Sequence, residues 1–177
     1  MKKLLVVGLW LIVVCAVAQE RINPVIKKAG GIFDVPDAVE KPDPSMNYKI
    51  VIELWAPADD PKQIHQSVNN IARLINLHVM GGVPKEKLEI VVAIHGKATY
   101  TITDSKTYHK RYKAENPNIE AYQELAKAGV KFVVCGQSLM ARQVERATII
   151  PEIKIATSML TTVTTHQLKG FAYLKLQ

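Results

Sequence analysis

The sequence predicts an α/β fold, a three-layer α/β/α sandwich built on a five-stranded, mainly parallel sheet, and three observations lead there. From Tyr48 onward, short runs rich in β-branched and aromatic residues alternate with segments of helical period. Those runs are apolar at nearly every position, the pattern of strands covered on both faces. Glycines stand where the helices should stop, at Gly81-Gly82, Gly129 and Gly170, so each helix serves as a crossover to the next strand. Right-handed crossovers then put helices on both sides of the sheet.

The elements follow in order. Residues 48–55, YKIVIELW, form the first strand. Asp59-Asp60-Pro61 carries a carboxylate cap and a first-turn proline, so a helix is expected from there to about residue 78. Its apolar stripe is Ile64, Val68, Ile71, Ile75 and Val79, at spacings of three and four. Residues 88–94 are the second strand, closed by His95-Gly96. The polar stretch 104–115 reads as a helix broken by Asn116-Pro117, and residues 119–128 as another that ends at Gly129. Residues 130–135 are the third strand. A short helix is expected at 139–146, a fourth strand at 153–156, a Thr-rich helix at 158–169 and a fifth strand at 171–176.

The ends of the chain change what its composition means. The 177 residues carry a formal charge of +7, which invites a nucleic-acid partner. However, Met1-Lys2-Lys3 is a basic n-region, residues 4–14 are an apolar run, and Ala16-Val17-Ala18 has the small-x-small pattern of a signal-peptidase site. Residues 1–18 therefore read as a signal peptide cleaved after Ala18, and the location as periplasmic. An apolar stretch of roughly 15 residues is short of the ~20 that span a bilayer, so no stable membrane span is expected after cleavage. A lipoprotein would acylate Cys15, but Val14 stands where such signals carry a small residue. Cleavage takes Lys2 and Lys3, leaving 21 basic residues against 16 acidic, a net +5.

Residues 19–47 hold Pro24, Pro36, Pro42 and Pro44 and the Gly30-Gly31 pair, which forbid a continuous helix or a central strand. They read as an extended arm, with Ile32-Phe33 and Val35 available for docking, ahead of a domain over 48–177.

Ligands and chemistry in parallel sheets gather at the carboxyl ends of the strands, here Trp55, His95-Gly96 and Cys135-Gly136. Once Cys15 is removed, Cys135 is the single cysteine, which excludes an internal disulfide. Gly136-Gln137-Ser138 follows it, so that backbone N–H groups and a capping Ser138 are placed to stabilise a thiolate. A strand-end cysteine is equally often part of a core. His95, at the end of the neighbouring strand, is placed to bond the thiol, to cap its own strand or to meet another subunit; Lys97 is a second nearby cation.

Other patterns carry less. His65, His78, His95, His109 and His166 show no zinc-type spacing with Cys135, so no metal is expected. No glycine-rich phosphate loop is present, so no nucleotide or other cofactor is expected. Tyr108-His109-Lys110-Arg111-Tyr112-Lys113 interleaves cations with aromatics, as nucleic-acid sites do. On a helix, though, Tyr108 and Tyr112 share one face, and an exported chain meets no genome, so no nucleic acid is expected. Asn69, Asn70 and Asn76 are polar positions of the first helix suited to a site or an interface.

Residues 129–139, GVKFVVCGQSL, resemble the signature segment of DsrE/DsrF-like proteins, the sulfur-relay family that includes YchN-like proteins. VVAIHG at 91–96, Asn116-Pro117-Asn118 and QLKGFAY at 167–173 resemble landmarks of its exported, periplasmic branch. The resemblance implies homotrimers or homohexamers and a cysteine at Cys135 that accepts sulfane sulfur as a persulfide and passes it to a partner thiol. His95, Gly136, Gln137 and Ser138 would support it. Two functions follow: a sulfane-sulfur carrier or thiol-exchange protein rather than a turnover enzyme, or a non-catalytic oligomeric binding or scaffold protein with a buried cysteine. A small-molecule site in the strand-end cleft is a third.

Overall fold

The computed structural model describes residues 19–176; the signal-peptide assignment lies outside them. Five strands, β1 (Tyr48–Leu54), β2 (Leu88–Ile94), β3 (Lys131–Cys135), β4 (Ile153–Ala156) and β5 (Ala172–Leu176), form one sheet in the order β4-β3-β2-β1-β5. Every pairing is parallel. The helices are α1 (Gln66–Met80), α2 (Ser105–Tyr112), α3 (Ile119–Lys127), α4 (Gly136–Ala141) and α5 (Met159–Leu168), with a 3-10 helix at Gly96–Ile102.

Alternation along each strand divides the interior in two. One face presents Ile50, Ile52, Leu54, Ile90, Val92, Ile94, Phe132 and Val134 to Val68, Ile71 and Ile75 of α1 and to Tyr122 and Leu125 of α3. The other presents Val51, Val91 and Ala93 to Val163 of α5 and to Phe171. Burial on both faces is why β2 reads as a nearly unbroken apolar run, whereas the edge strands β4 and β5 are largely exposed and carry Lys154 and Lys175. The second core is much the smaller.

Two helix starts differ from the sequence expectation. Asp60 makes only a local turn, its carboxylate accepting from the N–H of Lys62 at 2.9 Å. The cap of α1 is instead His65, whose Nδ1 accepts from the N–H of Ser67 at 3.1 Å while Nε2 faces the carbonyls of Ala56 and Pro57 at 3.0 and 3.1 Å. A histidine caps here because it is buried, with acceptors on one side of the ring and an orphan donor on the other. Similarly, α4 begins at Gly136 rather than near residue 139, directly after the cysteine, and ends at Ala141. Gln143 in the left-handed region, at φ 52°, prevents its extension to residue 146.

The proline-rich segment lies against its own domain. Ile22 and Ile32 exchange backbone hydrogen bonds at 2.8 and 3.0 Å, closing a loop that rests on α1. Asn69 and Asn76 are the acceptors and donors for that loop, not lining for a site: Asn69 Oδ1 takes the N–H of Gly30 at 2.8 Å, and Asn76 bonds Val25, Ile26 and Gly30. Ile26 and Ile32 are buried, whereas Phe33 and Val35 stay exposed. Gly30 is required at this contact, since a Cβ there would stand 2.5 Å from the α1 backbone at Ala72.

Candidate functional site

Cys135 is both the last residue of β3 and the N-cap of α4. Its Sγ lies 3.9 Å from Oγ of Ser158, the N-cap of α5. The thiol thus sits between the first turns of two helices, and it is 6% exposed. Burial pushes its pKa up; the N–H of Met159, the hydroxyl and N–H of Ser138 and the hydroxyl of Ser158 outweigh that and hold it below an ordinary thiol. The groups that favour the thiolate are neutral hydroxyls and backbone N–H donors.

Two glycines allow this close assembly. Gly136 is needed for proximity rather than for an unusual φ, because a Cβ there would stand 2.9 Å from the carbonyl of Ala156 at the end of β4. Gly96 adopts φ 57°, and its Cβ would stand 2.7 Å from the carbonyl of Trp55. Gly96 also ties the loop after β2 to α4: its N–H donates to Ser138 Oγ at 3.3 Å, and its carbonyl accepts from Arg142 Nε. Ser138 is therefore not a helix cap. It lies inside α4, with its hydroxyl shared between the thiol and Gly96.

His95 has a carboxylate partner rather than the thiol, with Nε2 2.8 Å from Glu53 Oε1. Glu53 is 7% exposed and also accepts from the Tyr173 hydroxyl, with Lys175 Nζ 3.8 Å away. Burial pushes the Glu53 carboxyl up, but Tyr173, His95 and Lys175 together bring it below its ordinary value. Burial and the Glu53 carboxylate raise Tyr173 to about 12. Lys175 also stands over the Trp55 ring, 5.3 Å from its centroid. Sequence reasoning passed over Glu53 and Tyr173, although a carboxylate amid the apolar residues of β1 was a visible signal of a partnered buried charge.

The remaining candidates are dispersed. Gln137 is exposed and lines a groove of about 330 Å³ with Gly136, Met140, Arg146 and Thr157. A larger groove of about 830 Å³ lies between α2 and the segment after α4, lined by Tyr100, Lys106, Lys110, Arg111 and Arg142; Cys135 borders neither. Lys97 is exposed, away from the thiol's donors. Tyr108 is buried and donates to the Pro61 carbonyl at 2.9 Å, and Arg111 lies 3.4 Å from the Tyr100 ring centroid, so these rings serve packing. Among the described residues, no three His, Cys, Asp or Glu side chains converge as metal ligands, and no helix is long and apolar enough to cross a membrane.

A five-stranded, all-parallel sheet flanked by helices on both faces defines an α/β fold. The chain belongs to the DsrE/DsrF-like family, whose model matches residues 49–176. Two solved structures share the fold. The protein of unknown function MTH1491 from Methanobacterium thermoautotrophicum is 19% identical, with a TM-score of 0.54 over 73% of this chain and 99% of that one. The ychN protein from E. coli is 16% identical, with the same TM-score and the same coverage. No curated protein matches the chain.

Proposed function

We propose that the protein is an exported carrier of sulfane sulfur, or a thiol-exchange protein, that uses Cys135. The observation that carries this reading is the placement of Sγ between the first turns of α4 and α5, where N–H groups and hydroxyls favour the thiolate. In the loading step, the thiolate attacks the outer sulfur of a persulfide R–S–SH. A new S–S bond forms, the old one breaks, and R–S⁻ leaves with its electron pair and takes a proton. Passing the sulfur to a partner thiol repeats the exchange in reverse, so the protein acts as a carrier between a donor and a relay partner rather than as a turnover enzyme. Gly136 and Ser138 hold the thiol in place, and exposed Gln137 lies between them in α4.

The experiment is intact-mass measurement after treatment with a persulfide donor. The wild type should gain one sulfur atom and Cys135→Ser none; no adduct on the wild type, or an equal adduct on the variant, overturns the reading. We place the protein in the periplasm after cleavage at Ala18, which amino-terminal sequencing of exported protein tests by finding Gln19 first.

A second reading has one observation in its favour. With 6% of its surface exposed, Cys135 fits a non-catalytic oligomeric scaffold or binding protein with a core cysteine. Labelling by a small thiol reagent only after denaturation would support the scaffold.

A further inference from the structure

The thiolate of Cys135 has its stabilising donors in α4 and α5, but the thiolate expelled in an exchange has none of them. The pairing Ile94↔Val134 makes His95 and Cys135 the next residues on adjacent strands, which lie about 4.8 Å apart. Both follow Ala93 and Val133 onto the sheet face covered by α5, the face that also carries Glu53. His95 and Cys135 therefore occupy neighbouring strand-end positions on the same face of the sheet.

Its orientation is held from the far side. Ionised Glu53 accepts from Nε2–H, which leaves Nδ1 as the ring nitrogen outside that bond. A base oriented by a buried carboxylate, next to a nucleophile, is the arrangement that nucleophilic catalysis requires. The charged and titratable groups facing this ring are Glu53 from β1, Tyr173 and Lys175 from β5, and Cys135 from β3; Lys154 of β4 lies on the same face but is exposed. From α5 the site receives Ser158 and Met159, and His166 is occupied by the carbonyl of Thr162 at 2.8 Å.

We propose that His95 donates the proton to the thiolate released when Cys135 attacks a sulfur–sulfur bond, with Glu53 as its positioning residue. This rests on the reading of Cys135 as an attacking thiol. In the step, the Cys135 electron pair forms the new S–S bond, the scissile S–S bond breaks onto the departing sulfur, and the Nδ1 proton converts R–S⁻ to R–SH. The neutral ring recovers its proton when the next Cys135 thiol ionises. No external electrons are needed.

The test uses three probes at pH 7: iodoacetamide, which expels iodide and needs no proton; an aromatic disulfide with an acidic leaving thiol; and cystamine, whose leaving alkyl thiolate is far more basic than the aromatic one. His95→Gln retains an N–H donor for Glu53 but cannot supply a proton. It should react with the first two within about twofold of wild type and with cystamine on the order of 10²-fold more slowly. Glu53→Gln should show a smaller loss on cystamine alone, and none when added to His95→Gln. Equal rates on cystamine, or the same loss on all three probes, overturn the proposal even if Cys135 proves reactive. A wild type inert to all three overturns the attacking-thiol reading as well. Should Glu53→Gln fail to fold, the His95→Gln comparison decides alone.

Discussion

Asn76 holds Ile26 at both of its backbone groups, accepting the N–H at 2.9 Å and donating to the carbonyl at 3.2 Å. The same side chain accepts from Val25 and donates to Gly30, so one buried amide serves four backbone groups of the amino-terminal segment. That is the full capacity of an amide side chain. Asn76→Ala would leave backbone groups of that loop without partners. It should cost roughly 2–4 kcal/mol in denaturant unfolding, because unpaired buried groups cost more than a bond contributes. A loss below about 1 kcal/mol would show that solvent replaces the amide and that the loop is only loosely attached.

Gly96→Ala and Gly129→Ala separate backbone strain from site geometry. Both glycines have positive φ, 57° and 102°, and each substitution should cost on the order of 1–3 kcal/mol. Only at Gly96 does the new Cβ meet the Trp55 carbonyl, and only Gly96 binds Ser138. Iodoacetamide labelling of Cys135 should therefore slow in Gly96→Ala and be unchanged in Gly129→Ala. Equal labelling in both would show that the Gly96–Ser138 contact does not support the thiol.

The lowered Cys135 pKa makes a prediction about stability as well as reactivity. The folded thiol loses its proton at lower pH than the unfolded one, so between those two values the unfolded chain binds more protons and stability rises with pH. Its contribution is fully present above the ordinary thiol value of roughly 8.5 and is lost as pH falls through the folded value. Wild type should thus gain on Cys135→Ser as pH is raised toward that value, and alkylation should level off before it. Parallel stability curves for the two proteins would rule out a stabilised thiolate.

How much of this was legible depends on where the information lay. Strand β2 was readable to the residue because burial on both faces leaves a continuous apolar run bounded by breakers. The start of α1 was misread because Asp60-Pro61 is a strong local signal, whereas the working cap, His65, depends on carbonyls of Ala56 and Pro57 that only the fold brings near. The same holds for Gly136, chosen by the proximity of β4, and for Glu53, whose partners come from β2 and from β5, 120 residues away in the case of Tyr173. The place of Cys135 at the end of β3 was legible from the apolar run before it and Gly136 after it. The donors that set its chemistry were only half legible, since Ser158 and Met159 arrive from α5.

The outer surface of α5 predicts self-association. Of its ten residues only Val163 is buried, while Leu160 and Leu168 are 67% and 90% exposed. With Thr164 they form a stripe at spacings of four along one side of the helix. Tyr173 and Leu174 on the edge strand β5 and Met140 on α4 are exposed too. Apolar surface gathered on one helix and one sheet edge is the mark of an interface, and burying a leucine is worth about 1.5–3 kcal/mol. We propose a homotrimer or homohexamer that covers this surface. Sedimentation equilibrium at micromolar concentration should find that assembly for the wild type, and Leu160→Glu with Leu168→Glu should dissociate it while leaving the far-ultraviolet spectrum unchanged. A monomeric wild type contradicts self-association, and an assembly that survives both substitutions places its interface elsewhere.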